Sequence, residues 1–553
     1  MSFRDLSVYQ IYPKSFRDST GSGVGDLRGV IEKVDYIASL GVGMVWFNPF
    51  FVSPQVDNGY DVADYYAIDP AMGTMDDFTE LVAALQQRGI GVMLDMVLSH
   101  TSTQHAWFQR ALAGDPAYQD FYYLRAGRDG QPPNNWTSKF GGPAWSPFGD
   151  TGLHYLHLFA PEQADLNWHN PAVRREMAAV VDFWRRLGVT GFRFDVINLI
   201  GKPFDLPSAP AGVDDRAMYT DGDLVVPFLK ELQAASYGLD ADAVTVGEMS
   251  STTLERCIEY SRADCGPLSM VFNFHHLKVD YAGGQKWTKA PFDFAALKGL
   301  LMGWAEGMAA GNGWNALFWN NHDQPRAVDR FGDAAGHREA SATMLATVIH
   351  LLRGTPYVYM GEEIGMTDPA YTSIDDYVDV EARNAYDALL AAGHDAADAF
   401  AIVHAKARDN ARTPMQWTPG PNAGFTTGTP WLAPTNQDTI NVAAEEHGGV
   451  ILPYYRRLIA LRKELPVIAE GDVQAYAHDH DRVLGYTRSL GENRLLVLAN
   501  FYGEDATLDL PPEFASARVL IGNHPDPRIS EGRITLRPYE AQSLLLTDGS
   551  KEI

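Results

Sequence analysis

The sequence predicts an α/β fold: a closed (β/α)8 TIM barrel with an inserted domain after strand three and a C-terminal antiparallel β-domain. First, eight strand-length apolar runs alternate with helix-period segments, which favours parallel strands and, at that number, a closed barrel. Second, one segment between strands is far longer than an ordinary βα loop. Third, the C-terminal region consists of short alternating strands separated by turn residues. An open doubly wound sheet is the weaker alternative.

The eight predicted barrel strands are rich in β-branched and aromatic residues, which suit a sheet that is buried on both faces. Helix-period segments at 27–40, 78–88 and 172–187 precede the second, third and fourth strands. In chain order the strands are predicted at 8–12, 44–48, 91–97, 191–198, 244–249, 270–274, 316–320 and 356–360.

The domain boundaries follow from the two long interruptions and the change of pattern. Residues 101–170, rich in Gly, Pro and aromatic residues, are predicted to form an inserted domain B after strand three. The catalytic barrel is predicted to comprise residues 1–100 and 171–465, with an extended loop at 366–428 after strand eight. Residues 466–553 are predicted to form a C-terminal β-sandwich domain.

Composition restricts the class of protein. The chain has 553 residues, 46% hydrophobic and 21% charged, as in soluble globular proteins. Its net charge of −26 argues against nucleic acid and anionic membranes as partners. Neither a signal peptide nor a membrane span is visible, and Cys257 and Cys265 lack zinc-site or disulfide-scaffold spacing. We therefore expect a cytoplasmic protein without a cofactor or an obligate protein partner.

The stretch from Gly191 to Asn198 joins a buried strand to charged residues. Arg193 and Asp195 are two positions apart, so their side chains point to the same side of the strand. Buried charges are costly unless they are paired or used in chemistry. A buried ion pair is the plain structural interpretation, and the case for chemistry depends on the other strand ends.

Titratable residues recur where the predicted strands end. Because the carboxyl ends of barrel strands meet on one face and carry the chemistry of such folds, we expect a shared acidic pocket there. Carboxylates at the ends of strands four, five and seven are hard to explain by stability alone. The residues at these ends are Asp95, His100, Arg193, Asp195, Glu248, His275, His276, His322 and Asp323.

Crowded carboxyls acquire different pKa values, as glycoside cleavage with retention requires. Such cleavage uses a nucleophile and a general acid about 5 Å apart. Arg193 is expected to keep Asp195 ionised as the nucleophile. Glu248 has no adjacent cation in the sequence and is expected to be the acid, and Asp323 is expected to hold substrate hydroxyls and favour ring distortion.

Four motifs in order resemble the α-amylase superfamily (glycoside hydrolase family 13) over essentially the whole chain. They are Asp-Met-Val-Leu-Ser-His at 95–100, Gly-Phe-Arg-Phe-Asp at 191–195, Val-Gly-Glu at 246–248 and Asn-His-Asp at 321–323. The resemblance implies Asp195 as nucleophile, Glu248 as acid/base and Asp323 as transition-state stabiliser. It also implies an aromatic wall at Phe140 and contacts to the terminal glucose from Asp57, Tyr60, His100, Arg193, His322 and Arg412.

Within that superfamily the chain is similar to the oligo-1,6-glucosidase branch, and most similar to trehalose-6-phosphate hydrolases. The stretches 191–200, 273–281 and 284–287 carry this similarity, and Val196 resembles members that cleave linkages other than α-1,4. The resemblance implies a retaining, exo-acting α-glucosidase that cleaves trehalose 6-phosphate to glucose and glucose 6-phosphate through a glucosyl-Asp195 intermediate.

Three alternatives stay open. The first is an oligo-1,6-glucosidase or α-glucosidase that acts on uncharged isomalto-oligosaccharides or other short α-glucosides. The second is a transglycosylating relative such as an isomaltulose synthase. The third, a non-catalytic barrel like the ectodomain of an amino-acid-transporter heavy chain, is disfavoured by the intact Asp195, Glu248 and Asp323 and by the missing membrane segment.

A phosphorylated substrate requires positive charge close to its binding site. A protein of net charge −26 binds an anionic sugar only through clustered cations. Lys278 and Lys286 flank the loop after strand six, and Lys202 follows strand four. We expect all three to face the leaving-group side of the cleft.

No metal site is expected. Many members of the superfamily bind calcium in an Asp-x-Asn-x-Asp-Gly-x-Gly-Asp loop, and here residues 18–26 have Thr20 and Ser22 at the second and third ligand positions. Hydroxyls are poorer oxygen ligands for calcium than carboxylates. Ser99 also stands where the superfamily usually has a calcium-binding Asn.

Overall fold

The structure, a computed structural model, describes residues 2–128 and 131–547. Its centre is a barrel of eight parallel strands in the spatial order β6-β5-β4-β3-β2-β1-β8-β7. A parallel bridge between Val271 and Asn315 joins the two ends of this order, so the sheet is closed. The strands are β1 Val8–Ile11, β2 Met44–Phe47, β3 Gly91–Met96, β4 Gly191–Phe194, β5 Val244–Glu248, β6 Met270–Phe272, β7 Ala316–Leu317 and β8 Thr355–Tyr359.

The predicted (β/α)8 barrel is thus confirmed, and the open sheet is excluded. The predicted strands are all present, but each of the eight ends earlier than predicted. β4 stops at Phe194 because Val196 has φ +35°, a left-handed conformation that ends an extended strand. Asp195 therefore lies just beyond the strand, where its side chain is free to face the cavity described below.

Amphipathic helices surround the barrel, and polar residues begin several of them. Thr74 and Asp77 form a reciprocal capping box. The segment predicted as one helix at 27–40 is two helices that meet at Lys33. The barrel helices are Leu27–Glu32, Val34–Ser39, Met75–Gln86, Pro171–Arg186, Val225–Ala235, Leu254–Ser261, Phe294–Ala310, Ala327–Phe331, Arg338–His350 and Ile451–Glu464.

The long segment after β3 contains its own small sheets. His100–Ser102 pairs antiparallel with Gln163–Asp165. A second sheet has the central strand Leu153–Leu156 between Leu124–Ala126 and Trp145–Pro147. A separate apolar cluster that includes Trp136 and Trp145 connects this segment to Val196 and Leu199 after β4. The inserted segment therefore packs directly against the chain that follows Asp195.

The chain after β8 extends over the same end of the barrel. It contains the helices Val380–Ala391, Ala396–His404 and Asp409–Arg412. Two antiparallel sheets follow, one of five strands and one of three. The five strands are Asp472–Tyr476, Val483–Leu490, Asn493–Asn500, Ala541–Leu546 and Arg518–Gly522, and the three are Ala506–Asp509, Arg533–Leu536 and Arg528–Ser530. The exact domain boundaries given above stay predictions.

Among the described residues, no helix is both long enough and apolar enough to cross a membrane.

Candidate active site

The guanidinium of Arg193 is the centre of the site. It donates hydrogen bonds to Asp95 Oδ1 and Asp195 Oδ1, each at 2.7 Å, and also to the carboxyl of Glu248. The strand register explains this convergence, since β4 places Arg193 opposite Asp95 of β3 and opposite Val246 of β5. The predicted ion pair between Arg193 and Asp195 is present, and it forms part of a cluster with three carboxyls.

Burial raises the pKa values of these carboxyls. The pKa of Asp195 rises to about 6 and that of Glu248 to about 8, in each case because desolvation outweighs the attraction of Arg193. Glu248 has no adjacent cation in the sequence, but Arg193 contacts it in space. Even so, at neutral pH Asp195 is mainly ionised and Glu248 mainly protonated.

A hydrogen-bonded layer lies behind this cluster. The Tyr60 hydroxyl donates to Asp95 Oδ2 at 2.9 Å and lies 2.7 Å from His322 Nε2. The Gln10 amide nitrogen is 3.0 Å from His322 Nδ1, and because this amide can only donate, the ring proton is assigned to Nε2. Burial lowers the pKa of His322 to about 3, so the ring is neutral.

Two arginines from the chain after β8 hold the remaining carboxyls. Arg412 donates to Asp323 Oδ1 at 2.7 Å, and Arg408 lies 3.1 Å from Asp57 Oδ1. Burial raises the pKa of Asp323, but the guanidiniums of Arg408 and Arg412 outweigh it and hold that pKa well below its usual value. The sequence-based interpretation included Arg412 and missed Arg408.

His100 and Phe140 complete the inner wall. His100 Nε2 lies 3.0 Å from the Tyr60 carbonyl oxygen, and its Nδ1 lies 2.8 Å from the Ser99 hydroxyl. The Phe140 ring lies beneath the Arg408 guanidinium at 5.1 Å. Both residues line the cavity.

These groups surround a cavity of about 260 Å³ at the C-terminal ends of the strands. Three of the predicted residues, Arg193, His322 and Arg412, lie directly behind its wall, where they hold the carboxyls that line it. The predicted residues that line the cavity itself are Asp57, Tyr60, His100, Phe140, Asp195, Glu248, Lys278, Lys286 and Asp323.

A second, wider cavity of about 910 Å³ adjoins the first, and we name it the outer vestibule. Six residues line both cavities, so the two spaces are continuous. These are Lys139, Ser251, Lys278, Tyr281, Lys286 and Glu381.

The cations of the outer vestibule differ in how they are paired. Lys286 contacts the Glu381 carboxylate at 2.7 Å, and Lys139 donates to the Ser250 hydroxyl at 2.7 Å. Within the described ranges, neither Lys139 nor Lys278 has a carboxylate oxygen within 4.0 Å. Desolvation by the cavity walls lowers the pKa of both amines, and nearby Arg216 lowers it further. These two lysines are the best available partners for an anionic ligand.

Sequence reasoning missed Lys139 and misplaced Lys202. Lys139 precedes Phe140, and that adjacency was the signal that could have identified it. Lys202 is buried, pairs with Asp165 Oδ1 at 2.6 Å and donates to the Leu199 carbonyl at 2.8 Å. The expectation that Lys202 faces the leaving-group side was therefore wrong, because its amine is already occupied below the cavity.

In the loop at 18–26, both carboxylate oxygens of Asp18 accept hydrogen bonds from protein donors. Asp18 Oδ1 accepts from the backbone of Thr20 and Gly21, and Asp18 Oδ2 accepts from Gly23 N at 2.7 Å and Thr426 Oγ1 at 2.5 Å. Among the described residues, no cluster of three or more Asp, Glu, His or Cys side chains is arranged to hold a metal ion. With both oxygens engaged by protein donors, Asp18 has little capacity left for a cation.

We therefore expect a chelator to leave the thermal stability and the activity of the protein unchanged. Dialysis against a millimolar chelator followed by thermal unfolding and a turnover assay would measure this. Restoration of lost activity by added calcium would contradict the expectation.

The barrel and its clustered carboxyls define a glycoside hydrolase type of site. The chain belongs to the α-amylase family: the family model described as "Alpha amylase, catalytic domain" matches residues 10–471. A second model, the "Alpha-amylase SusG C-terminal domain", matches residues 483–542. The protein is a glycoside hydrolase with the TIM-barrel fold of this family.

Several characterised relatives cover nearly all of the chain. The trehalose-6-phosphate hydrolase of Escherichia coli (strain K12) is 51% identical and that of Bacillus subtilis (strain 168) 49% identical, each alignment covering at least 97% of both chains. The oligo-1,6-glucosidase of Parageobacillus thermoglucosidasius is 43% identical over 98% of both chains. The crystal structure of the Bacillus licheniformis trehalose-6-phosphate hydrolase matches with a TM-score of 0.94 at 47% identity, covering 99% of this chain and all of that one.

Proposed function

We propose that the enzyme hydrolyses trehalose 6-phosphate to glucose and glucose 6-phosphate with retention of configuration. The observation that carries the proposal is the pair Lys139 and Lys278 at the junction of the inner cavity and the outer vestibule, two amines without a carboxylate partner among the residues that the structure describes. A dianionic phosphate supplies the negatively charged partner for these two amines. The names of the two most identical relatives described above support the same substrate.

In the first chemical step the ionised Asp195 carboxylate attacks the anomeric carbon of the unsubstituted glucose unit. The bond to the bridging oxygen breaks, and the protonated Glu248 transfers its proton to that oxygen. Glucose 6-phosphate leaves, and a glucosyl ester of Asp195 remains. Water then gives a proton to the Glu248 carboxylate and attacks the same carbon, which releases glucose and restores both carboxyls.

The inner cavity is proposed to hold the glucose unit. Asp57 and Asp323 offer carboxylate oxygens to its hydroxyls, and Arg408 and Arg412 keep those oxygens oriented. Neutral His322 lies behind the cavity wall, 3.4 Å from Asp323 Oδ2, and donates its Nε2 proton to the Tyr60 hydroxyl. Hydrogen bonds from charged groups strengthen as positive charge develops on the ring, so they favour the transition state.

The outer vestibule is proposed to hold glucose 6-phosphate as the leaving group. Lys139 approaches from the inserted segment and Lys278 from the loop after β6, so the phosphate would bridge two parts of the chain. Lys286 is already neutralised by Glu381 and adds less net charge. A charged sugar does not readily cross a bilayer, which supports the cytoplasmic location expected from the sequence.

The decisive test is a comparison of kcat/KM for trehalose 6-phosphate, trehalose and isomaltose. We expect trehalose 6-phosphate to exceed both uncharged sugars by at least about 100-fold, as two charge-assisted hydrogen bonds would give. Equal or better rates on isomaltose would overturn the substrate assignment. That result would favour the oligo-1,6-glucosidase alternative, which the pairing of Lys286 with Glu381 supports because this pair reduces the charge of the vestibule.

The pH dependence of kcat/KM should be bell-shaped. Below pH of about 6 activity should fall because Asp195 becomes protonated, and above about 8 it should fall because Glu248 loses its proton. Phenyl α-glucoside is the right substrate, since its poorer leaving group needs the proton of Glu248 and it has no phosphate that titrates in this range. In Glu248→Gln the alkaline limb should disappear, and an alkaline limb that persists in this variant would contradict the assignment.

A further inference from the structure

The turns that follow the two reacting carboxyls have unusual backbones. Val196, directly after Asp195, has φ +35°, and Ser251, three residues after Glu248, has φ +51°. A third left-handed residue, Asp221 at φ +53°, lies beside them in the chain that leads to the next helix. β-Branched Val196 is especially unfavourable in this region, so the surrounding structure must hold it there.

One side chain connects all three turns. Buried Asn198 accepts a hydrogen bond from Ser250 N at 3.0 Å and donates to Ser250 O at 2.8 Å. The same amide donates to Asp221 Oδ1 at 2.9 Å, and Asp221 N in turn donates to the Asn198 carbonyl at 3.0 Å. Every polar atom of the Asn198 side chain is therefore used to join the chain after β4 to the chain after β5.

We propose that Asn198 is a positioning residue that fixes the separation of the Asp195 and Glu248 carboxyls by tying together the two turns behind them. The inference rests on the proposed roles of those two carboxyls. Asn198 lies three residues after Asp195, and Ser250 lies two residues after Glu248, so the link spans a short loop on each side. Through the Ser250 hydroxyl the same link also holds Lys139 at 2.7 Å.

Asn198 does not line either cavity, so its effect must pass through the residues that it holds. Displacements of about 1 Å at reacting groups cost rates of order 100-fold. Removal of the link should therefore lower kcat and leave the binding of the glucose unit nearly intact. It should also admit water beside Glu248, which would lower the pKa of that carboxyl towards its ordinary value.

The test compares Asn198→Ala and the isosteric Asn198→Asp with Asn500→Ala. Asn500 is a matched control, because it is also buried, also donates two side-chain hydrogen bonds and also accepts one, but it lies in the C-terminal sheet. Asn198→Asp keeps the shape and places a carboxylate against Ser250 O and Asp221, so it breaks the link without creating a cavity.

For both Asn198 variants we expect kcat on a nitrophenyl α-glucoside to fall about 100-fold with KM changed less than about threefold. On phenyl α-glucoside, whose leaving group needs the proton, the alkaline limb of the kcat/KM profile should move to lower pH. Asn500→Ala should lose thermal stability and keep both kcat and the pH profile. Asn198 variants that behave like Asn500→Ala would overturn the inference. Asp195→Asn, measured in parallel, distinguishes failure of the Asn198 inference from failure of the proposed mechanism. If Asp195→Asn stays active, the proposed mechanism itself fails.

Discussion

Asp195→Asn is expected to lower kcat by about 10⁴-fold or more, the largest effect of any single substitution considered for this enzyme. The amide cannot form the glucosyl ester, and the hydrogen bond from Arg193 leaves its shape and position nearly unchanged. The measurement is steady-state turnover of trehalose 6-phosphate and of a nitrophenyl α-glucoside. In the parent enzyme, a slowly hydrolysed fluorinated glucosyl donor should add one hexosyl group to the peptide that contains Asp195. The same peptide of Asp195→Asn should stay unlabelled.

Glu248→Gln separates the acid from the nucleophile. A nitrophenolate leaves without protonation, so this variant should still form the glucosyl ester and release a burst of nitrophenol. The second step needs the base and should stall, and azide, which needs no base, should restore turnover and give a glucosyl azide of retained configuration.

A buried carboxyl outside the site serves as the control. Glu445 accepts hydrogen bonds from the backbone of Ile451 and Leu452 and lines neither cavity. Glu445→Gln should change stability and leave kcat within about threefold of the parent enzyme. Near-normal turnover in Asp195→Asn would contradict the proposed mechanism.

Lys278→Gln is expected to lower kcat/KM for trehalose 6-phosphate by about 10- to 100-fold and to leave isomaltose nearly unaffected. A charge-assisted hydrogen bond contributes about 1.5–3 kcal/mol, and the lower part of this range suits Lys278 because its side chain is exposed to solvent. The double variant Lys139→Gln/Lys278→Gln should lose more than either single one. Measured ratios of kcat/KM for the two sugars give the result directly.

Salt and a neighbouring lysine provide the controls for this prediction. Lys289 is exposed, as Lys278 is, and belongs to the same connection between β6 and the helix Phe294–Ala310, but it lines a different cavity. Lys289→Gln should leave the substrate ratio unchanged. The preference for the phosphorylated sugar should also weaken as ionic strength rises. Equal losses on charged and uncharged sugars in Lys278→Gln would mean that the lysine acts on structure and not on phosphate.

The sequence was sufficient to predict the barrel and the position of its chemistry. Apolar runs of strand length alternate with amphipathic segments, and the parallel strands that this pattern predicts end on one face. Asp195, Glu248 and Asp323 were therefore expected to converge, and the structure brings all three to one cavity. The four motifs also indicated the family to which the chain belongs.

The sequence pattern said much less about the long connections. Lys139 comes from the inserted segment, and Glu381 and Arg408 come from the chain after β8. Both segments lie outside the strand–helix alternation from which the barrel was predicted. Lys202 is the opposite case, a residue that was predicted to face the cleft and does not. Its position after β4 favoured that prediction, but in the folded chain its amine is buried against Asp165. Side chains in such segments are placed by packing between distant parts of the chain.

The charge state of the site was likewise decided by the tertiary structure. Adjacency in the sequence indicated that Arg193 would hold Asp195 ionised and leave Glu248 without a cation. In the folded protein Arg193 contacts both carboxyls, and burial raises both pKa values, that of Glu248 more than that of Asp195. The sequence by itself thus determined which strand-end residues meet, because strand order fixes it. Only the tertiary structure decided which of them carries the proton, since desolvation depends on everything packed around the site.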